Sequence, residues 1–270
     1  MITSVSNSRI KKIIQIRDKV KIRREEDVFL VEGVRMFLEA PEENILELYL
    51  SESFYHHASA ECREKIKNTE AGYGVKAEVV ADTVFQKMSS TVTPQGILCV
   101  IRQLHYSMED LLKNKAPLLV IVENLQDPGN LGTIFRTAEG AGVDGIIMNR
   151  ETADLTNPKT IRSTMGSVYR VPFIISEHLE QEVKQLKEKG ITVFAAHLSG
   201  RDIYEGVSFL EGSAFLIGNE GNGLSEELGN LATEKIKIPM EGKVESLNAA
   251  IASSLLVYEA RRQRKAGKTE

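Results

Sequence analysis

The sequence predicts an α/β protein of two domains, on three observations. After Pro117, short apolar runs alternate with helical periodicity as far as Arg264. A shorter alternation of the same kind occupies residues 28–101. Between them, Arg102–Ala116 is charged and lacks a long apolar run. Such alternation is the signature of sheets covered by helices. The expected division is 1–27 as a basic helix, 28–101 as a small α/β domain, 102–116 as a linker and 117–270 as a larger domain built on a parallel sheet. A chain of 270 residues has ample length to bury such cores.

The first 24 residues carry eight Lys or Arg against one acid, Asp18, with Ile10, Ile13, Ile14 and Val20 between them. This pattern predicts a basic amphipathic helix. In the small domain, FLVE, ILELYLS, VKAEVVA and QGILCVI read as strands. GVRMFLEA, SFYHHASAECREKIK and DTVFQKMSS read as helices. After Pro117, LLVIVE is a strand of the buried type found in parallel sheets. Further strands follow in DGIIMN, YRVPFII (broken by Pro172), ITVFAAHL, SAFLIGNE and KIKIP. Helices lie in DPGNLGTIFRTAEGAG, NPKTIRSTMGS, LEQEVKQLKEKG, SEELGNLA and Ser246–Arg264. Gly190 is a C′ glycine that ends the third of these. Strands alternating with helices predict a parallel sheet covered on both faces. For the last helix, Ser246 is the expected N-cap. Leu247, Ala250, Ile251, Ser254, Leu255 and Tyr258 recur on it at helical spacing.

Composition narrows the function classes. No run approaches the roughly 18 apolar residues of a membrane span, and the N-terminus lacks the apolar core of a secretory signal. A cytoplasmic protein without a membrane partner is expected. Cys62 and Cys99 are far apart and form no CxxC. The adjacent histidines His56 and His57 would point about 100° apart on a helix. No metal site is expected. Net charge is −4, yet the two basic ends leave a net of −15 on the residues between 24 and 261. Blocks of this kind are solvated tails or arms for an anionic polymer.

Two motif-like strings are excluded by their setting. Gly140-Ala-Gly142-Val-Asp-Gly145 has the letters GxGxxG, but it follows a helix and precedes a strand. The dinucleotide-binding order is the reverse. Gly267-Lys268-Thr269 looks like the end of a P-loop, but Arg262 stands where a glycine is required.

Three segments remain, each at the C-terminal end of a strand, where open α/β sheets bind ligands. In the first, Asp127–Ala138, the face opposite the apolar one carries Asn130, Thr133, Arg136 and Thr137. An Arg near a helix start opposes the helix dipole, so either an anionic partner or a plain surface position accounts for Arg136. In the second, Gly218-Asn-Glu220-Gly221-Asn-Gly223, glycines let the backbone approach a ligand closely. Glu220 there is a ligand contact or a turn residue. The third is Ile238-Pro-Met240, a glycine-bearing loop, and Ser246-Leu247-Asn248-Ala249 at a helix mouth. Loops and a helix mouth meeting on one edge can hold a flat, hydrogen-bonding small molecule.

In order and spacing, these segments resemble the three motifs of the SpoU (TrmH-like) branch of the SPOUT superfamily of RNA ribose methyltransferases. The residues that carry the match are Asn130 and Arg136, Gly218-Asn-Glu220-Gly221, Ile238-Pro-Met240 and Ser246-Leu247-Asn248-Ala249. Val31-Glu-Gly33 and Ser90-Thr-Val-Thr-Pro-Gln-Gly96 are similar to the ribosomal-protein-like RNA-binding domain often fused ahead of it. The resemblance implies a deep trefoil knot in the C-terminal domain, a homodimer, and S-adenosyl-L-methionine as cofactor. It implies cofactor contacts at Gly218, Ile238 and Leu247, and catalytic roles for Arg136, Asn130, Glu220, Ser246 and Asn248. The implied reaction is methylation of a ribose 2′-hydroxyl in RNA, with ribosomal RNA as the expected substrate. The alternatives are the same reaction on tRNA, or a non-catalytic RNA-binding or ribosome-assembly protein.

Overall fold

A computed structural model describes residues 1–244 and 246–267. The chain forms two compact units: Met1–Leu104 with Asp154–Tyr169, and His105–Ala153 with Arg170 onward. The first unit is therefore not contiguous in sequence, and Asp154–Tyr169, expected with the larger domain, belongs to it.

In the first unit the elements before residue 105 are α1 (Ser8–Asp18), α2 (Val20–Glu25), β1 (Val28–Glu32), α3 (Val34–Glu39), β2 (Ile45–Ser51), α4 (Glu52–His57), α5 (Ala60–Tyr73), β3 (Ala77–Val80), α6 (Asp82–Met88) and β4 (Ile97–Arg102). The strands make one sheet in the order β1-β4-β2-β3, antiparallel except for the β2–β3 pair. Ile10, Ile13 and Ile16 of α1 are fully buried and pack with Leu30, Tyr49, Val80, Phe85 and Val100.

The basic segment is two helices, not one, because Lys19 is extended between them. The buried Arg23 guanidinium holds the break. It donates to the carbonyls of Ile16 and Arg17 at 2.7 and 2.9 Å and to Thr156 Oγ1 at 3.0 Å, and it pairs with Asp154. Other basic side chains are also spoken for: Arg9 by Glu78, Lys12 by Glu26, and Arg17 by Asp18. Only Lys11, Lys19 and Arg24 stay exposed and unpaired among the described residues of this segment.

The second unit begins with α7 (Met108–Leu111), β5 (Leu118–Val122), α8 (Pro128–Ala141) and β6 (Gly145–Asn149). The stretch expected as a linker is thus partly helical. Ser107 and Asp110 form a reciprocal capping box, and Met108 and Leu111 are buried in the sheet's core cluster. Helix α9 (Pro158–Thr164) comes next in the chain and packs on β1 of the first unit. Then follow β7 (Phe173–Ser176), α10 (Leu179–Glu188), β8 (Thr192–Asp202), β9 (Ser213–Ile217), α11 (Glu226–Leu231), β10 (Glu234–Lys237) and α12 (Ala249–Ala266). β7 starts just after Pro172, which lacks the N–H a strand interior needs.

The six strands pair in the order β10-β8-β9-β5-β6-β7, and every neighbour is parallel. The expectation of a parallel sheet covered by helices is met. All C-terminal strand ends therefore open on one edge. After the edge strand β10, the chain returns so that α12 packs against α8 and the inner strand β9.

Two expectations about α12 are corrected. Its N-cap is Asn248, whose side chain accepts from Ala250 N and Ile251 N, so Ser246 lies outside the helix. Its buried face is Ala249, Ala250, Ser253, Leu256, Val257 and Ala260, whereas Ile251, Leu255 and Tyr258 are exposed. The helix is apolar on two faces, so apolar spacing alone does not select the one that packs. Nor is its arginine-rich end free. Arg264 donates to the carbonyls of Phe209 and Ala116 at 2.7 Å, and Arg262 pairs with Glu259.

Candidate active site

The site grows from the C-terminal ends of β5 and β9, which are adjacent in the sheet. Beyond β5 the chain turns at Asn124, whose φ of 54° is left-handed. Its side chain pairs with the Asn149 amide: Asn149 Nδ2 donates to Asn124 Oδ1 at 2.7 Å, and Asn124 N donates to Asn149 Oδ1 at 2.9 Å. Asp127 then caps α8, accepting from Asn130 N at 2.8 Å, with Pro128 in the first turn.

Beyond β9 the chain folds into a small closed loop. Asn219 and Gly223 exchange backbone hydrogen bonds of 2.9 and 3.0 Å. Gly218 cannot carry a side chain, because a Cβ there would lie 2.2 Å from the Gly223 carbonyl carbon. Gly223 has a φ of 69°, which glycine adopts without strain.

The two loops are joined at three points. Asn219 Nδ2 donates to the Asn124 carbonyl at 2.7 Å. Ser225 N donates to the buried Glu123 carboxylate at 2.7 Å. Glu220 accepts from Gln126 N at 2.9 Å, Asp127 N at 3.0 Å and Asn130 Nδ2 at 2.9 Å. Burial alone would raise the Glu220 carboxyl, but these bonds outweigh it and hold the group below the ordinary carboxylate range. Asn248 extends the chain: its Nδ2 donates to Asn130 Oδ1 at 3.0 Å, while its Oδ1 caps α12. Glu220, Asn130 and Asn248 thus come together from three distant segments.

Beside this chain lies a pocket of about 380 Å³. Gly218, Ile238 and Leu247 line it, as do Ser246 and Glu220. Met240 and Leu256 add apolar walls, and the loop after Gly218 adds backbone polar groups. Ala196, His197 and Leu198 also line the pocket, and sequence reasoning missed them. They belong to residues 196–200 of β8, extruded because successive β10 residues Lys235 and Ile236 pair with Ala195 and Arg201. The available signal was Gly200, since a Cβ there would lie 2.4 Å from the Ile236 backbone. A cleft with apolar walls beside a glycine-rich loop fits the flat nucleoside moiety of a small molecule.

Arg136 stands apart from the hydrogen-bonded chain. It is exposed and has no hydrogen bond or ion pair among the described residues. It also lies in the middle of α8 rather than near its start, so the helix dipole does not bear on it. Ser246 is exposed at the pocket rim. The string Gly140–Gly145 closes α8 and opens β6, as its order indicated. Of Gly267-Lys-Thr269, the last two residues lie outside the described residues. Among the described residues, no group of three or more His, Cys, Asp and Glu could hold a metal ion, and no helix is long and apolar enough to cross a membrane.

The chain is similar to known proteins along almost its whole length. Residues 117–258 match the SpoU rRNA Methylase family, and residues 7–99 match the MRM3-like substrate binding domain. The chain is 31% identical to the 23S rRNA (guanosine(2553)-2′-O)-methyltransferase RlmP of Bacillus subtilis, covering 96% of this chain and 98% of that one. The AdoMet-bound rRNA methyltransferase from Sinorhizobium meliloti superposes with a TM-score of 0.84 at 29% identity, over 97% of both chains. The SpoU methyltransferase AviRb from Streptomyces viridochromogenes, in complex with AdoMet, superposes with a TM-score of 0.86 at 25% identity, over 96% of this chain and 99% of that one. With the family matched across the sheet that carries the site, and a relative matched along almost its whole length, the chain belongs to the SpoU rRNA methylase family.

Proposed function

We propose that the protein methylates a ribose 2′-hydroxyl in RNA, with S-adenosyl-L-methionine as methyl donor and ribosomal RNA as substrate. One observation carries this reading. The Glu220–Asn130–Asn248 chain stands beside a pocket lined by Gly218, Ile238 and Leu247. Those three residues would hold the cofactor, through apolar contact and backbone groups. When bound, the cofactor supplies an electrophilic sulfonium methyl.

A ribose hydroxyl is a poor nucleophile and must lose its proton as it reacts. A guanidinium has no acceptor for that proton, which passes to solvent water as the oxygen takes the methyl group. Arg136 instead grips the adjacent phosphate with its exposed, uncommitted fork and stabilises the developing alkoxide. Asn130 and Asn248 orient the ribose, and Ser246 faces it from the pocket rim. Glu220 positions Asn130 and the first turn of α8.

The working form is a cytoplasmic homodimer. Ile251, Leu255 and Tyr258 make an exposed apolar stripe on α12, at 50%, 37% and 48% exposure, that a second copy would cover. The return of the chain from β10 to α12 is the thread of a trefoil knot.

Ribosomal RNA from cells with and without the gene tests the reaction. One 2′-O-methyl should be lost; identical methylation maps, with no cofactor binding by calorimetry, would sink the proposal. Arg136→Lys keeps the charge but loses the planar fork. It should lower kcat about a hundredfold with cofactor affinity unchanged. Full turnover would remove Arg136 from this role.

A further inference from the structure

The loop that joins α6 to β4 in the first unit is built unlike an ordinary surface turn. Its root is fixed by a buried carboxylate, that of Glu32, at 8% exposure. Glu32 accepts from the Ser89 hydroxyl, from Ser90 N at 2.9 Å and Ser90 Oγ at 2.8 Å, and from Thr91 Oγ1 at 2.6 Å. Thr91 N donates in turn to Ser89 Oγ at 2.9 Å. Gln86 Nε2 holds the Val92 carbonyl at 2.8 Å, and Val34 N binds the Gln95 side chain at 2.7 Å. Gly96 closes the loop with a φ of 86°, where a Cβ would run into Ser51 and Phe54.

Against this fixed frame, one apolar side chain points at nothing. Val92 is 93% exposed, the most exposed large hydrophobic residue described. Folding does not explain it, since it buries almost no surface. The frame holds an apolar group outward, where it adds nothing to folding and is available to a partner.

The charge around the loop's root selects the partner. Arg17 donates to the carbonyls of Lys87 and Ser89 at 2.7 and 3.0 Å. Arg162 donates to the Ser90 hydroxyl, and Lys87 is exposed at the end of α6. Among the described residues the carboxylate bonded to the loop, Glu32, is buried, and the exposed Asp18 offsets only Arg17. An apolar tip above cationic groups matches a ligand with apolar faces and an anionic backbone. Apolar wedges are used in this way against bases, and single-stranded RNA offers unstacked ones.

We propose that the Ser89–Gln95 loop is a preorganised RNA-reading tip, with Val92 packing on an unstacked base and Lys87 and Arg162 attracting the flanking phosphates, while Arg17, paired with Asp18, only braces the root. This rests on the RNA reading of the protein and adds where the first unit grips its substrate.

The test uses the full-length protein and ribosomal RNA purified from cells lacking the gene. Val92→Ser should weaken RNA binding about tenfold and raise KM for RNA, and Val92→Leu should restore both. Melting temperature and S-adenosylmethionine affinity should not change, because the side chain is outside the core and the pocket. Gln86→Ala, which releases the Val92 carbonyl, should give a smaller loss of the same kind. Unchanged RNA affinity for Val92→Ser, with methylation by the wild type intact, overturns the tip alone. If that variant binds naked RNA normally but methylates ribosomal particles poorly, the tip docks on protein and the RNA assignment is wrong. A wild-type protein that neither binds nor methylates RNA overturns both readings.

Discussion

Asn130 and Glu220 lie 90 positions apart in the chain and share a hydrogen bond of 2.9 Å. The same carboxylate binds the amides of Gln126 and Asp127, which precede α8. A negative group there also complements the positive end of the helix. The loop that floors the pocket and the helix that carries Arg136 are therefore one mechanical piece. Order in one loop is transmitted to the other through the Glu220 carboxylate.

Removing that link tests it. Glu220→Gln keeps the size of the side chain but replaces one acceptor oxygen with a donor, facing amides that also donate. Expected is a fall in kcat/KM of about tenfold, the equivalent of about 1.4 kcal/mol. Cofactor affinity should weaken as well, because the Gly218–Leu224 loop loses its tether. A variant with wild-type kinetics and affinity would show that the loops are held by Glu123 and Asn219 alone.

Gly218→Ala probes the pocket floor. The added methyl would sit 2.2 Å from the Gly223 backbone and 2.3 Å from Leu224 N, and neither is a flexible side-chain end that can swing away. Overpacking of this type costs about 1–3 kcal/mol. The loop should open, with cofactor affinity down more than about tenfold. Calorimetric titration with S-adenosylmethionine reads this directly, and an unaltered Kd would place the cofactor elsewhere.

The strands of both sheets and the three site segments were legible because each is local. LLVIV and SAFLI are buried runs bounded by loop residues, and β5 and β9 form where they stand. The glycine at 218 marks a close approach of backbone to backbone, against Gly223 and Leu224, and the glycine at 223 marks a left-handed turn. What was not legible depends on distant partners. Nothing near Asp154 indicates that it answers Arg23, 131 positions earlier. In AAHLSG only Gly200 hints that residues 196–200 are pushed out of register by β10. Ser246 and Asn248 are both good N-caps, and the one that caps α12, Asn248, also bonds the distant Asn130.

Glu32 gives a pH signature to the first unit. Burial would raise its carboxyl, but the bonds from Ser89, Thr91 and Ser90 prevail and lower it. A folded-state value below the unfolded one, about 4.3, means that its ionised form favours folding. That contribution is fully present above the unfolded value and is lost as pH falls through the lowered folded value. Between about pH 5 and pH 3, the wild type should therefore lose more thermal stability than Glu32→Gln. Parallel melting curves for the two proteins would exclude the carboxylate as a charged anchor.

The exposed stripe on α12 makes the last prediction. Ile251, Leu255 and Tyr258 follow at spacings of four and three, so they share one helix face. The opposite face is fully engaged with α8 and β9, so the stripe is free to meet another surface. Leu255→Asp puts a charge at its centre and leaves the buried face unchanged. In sedimentation velocity the wild type should run as a dimer and this variant as a monomer with a native far-UV spectrum. Arg136 sits on α8, which packs against the same helix, so methylation should fall with the dimer if the partner helps to complete the site. A variant that stays dimeric would move the interface off this face.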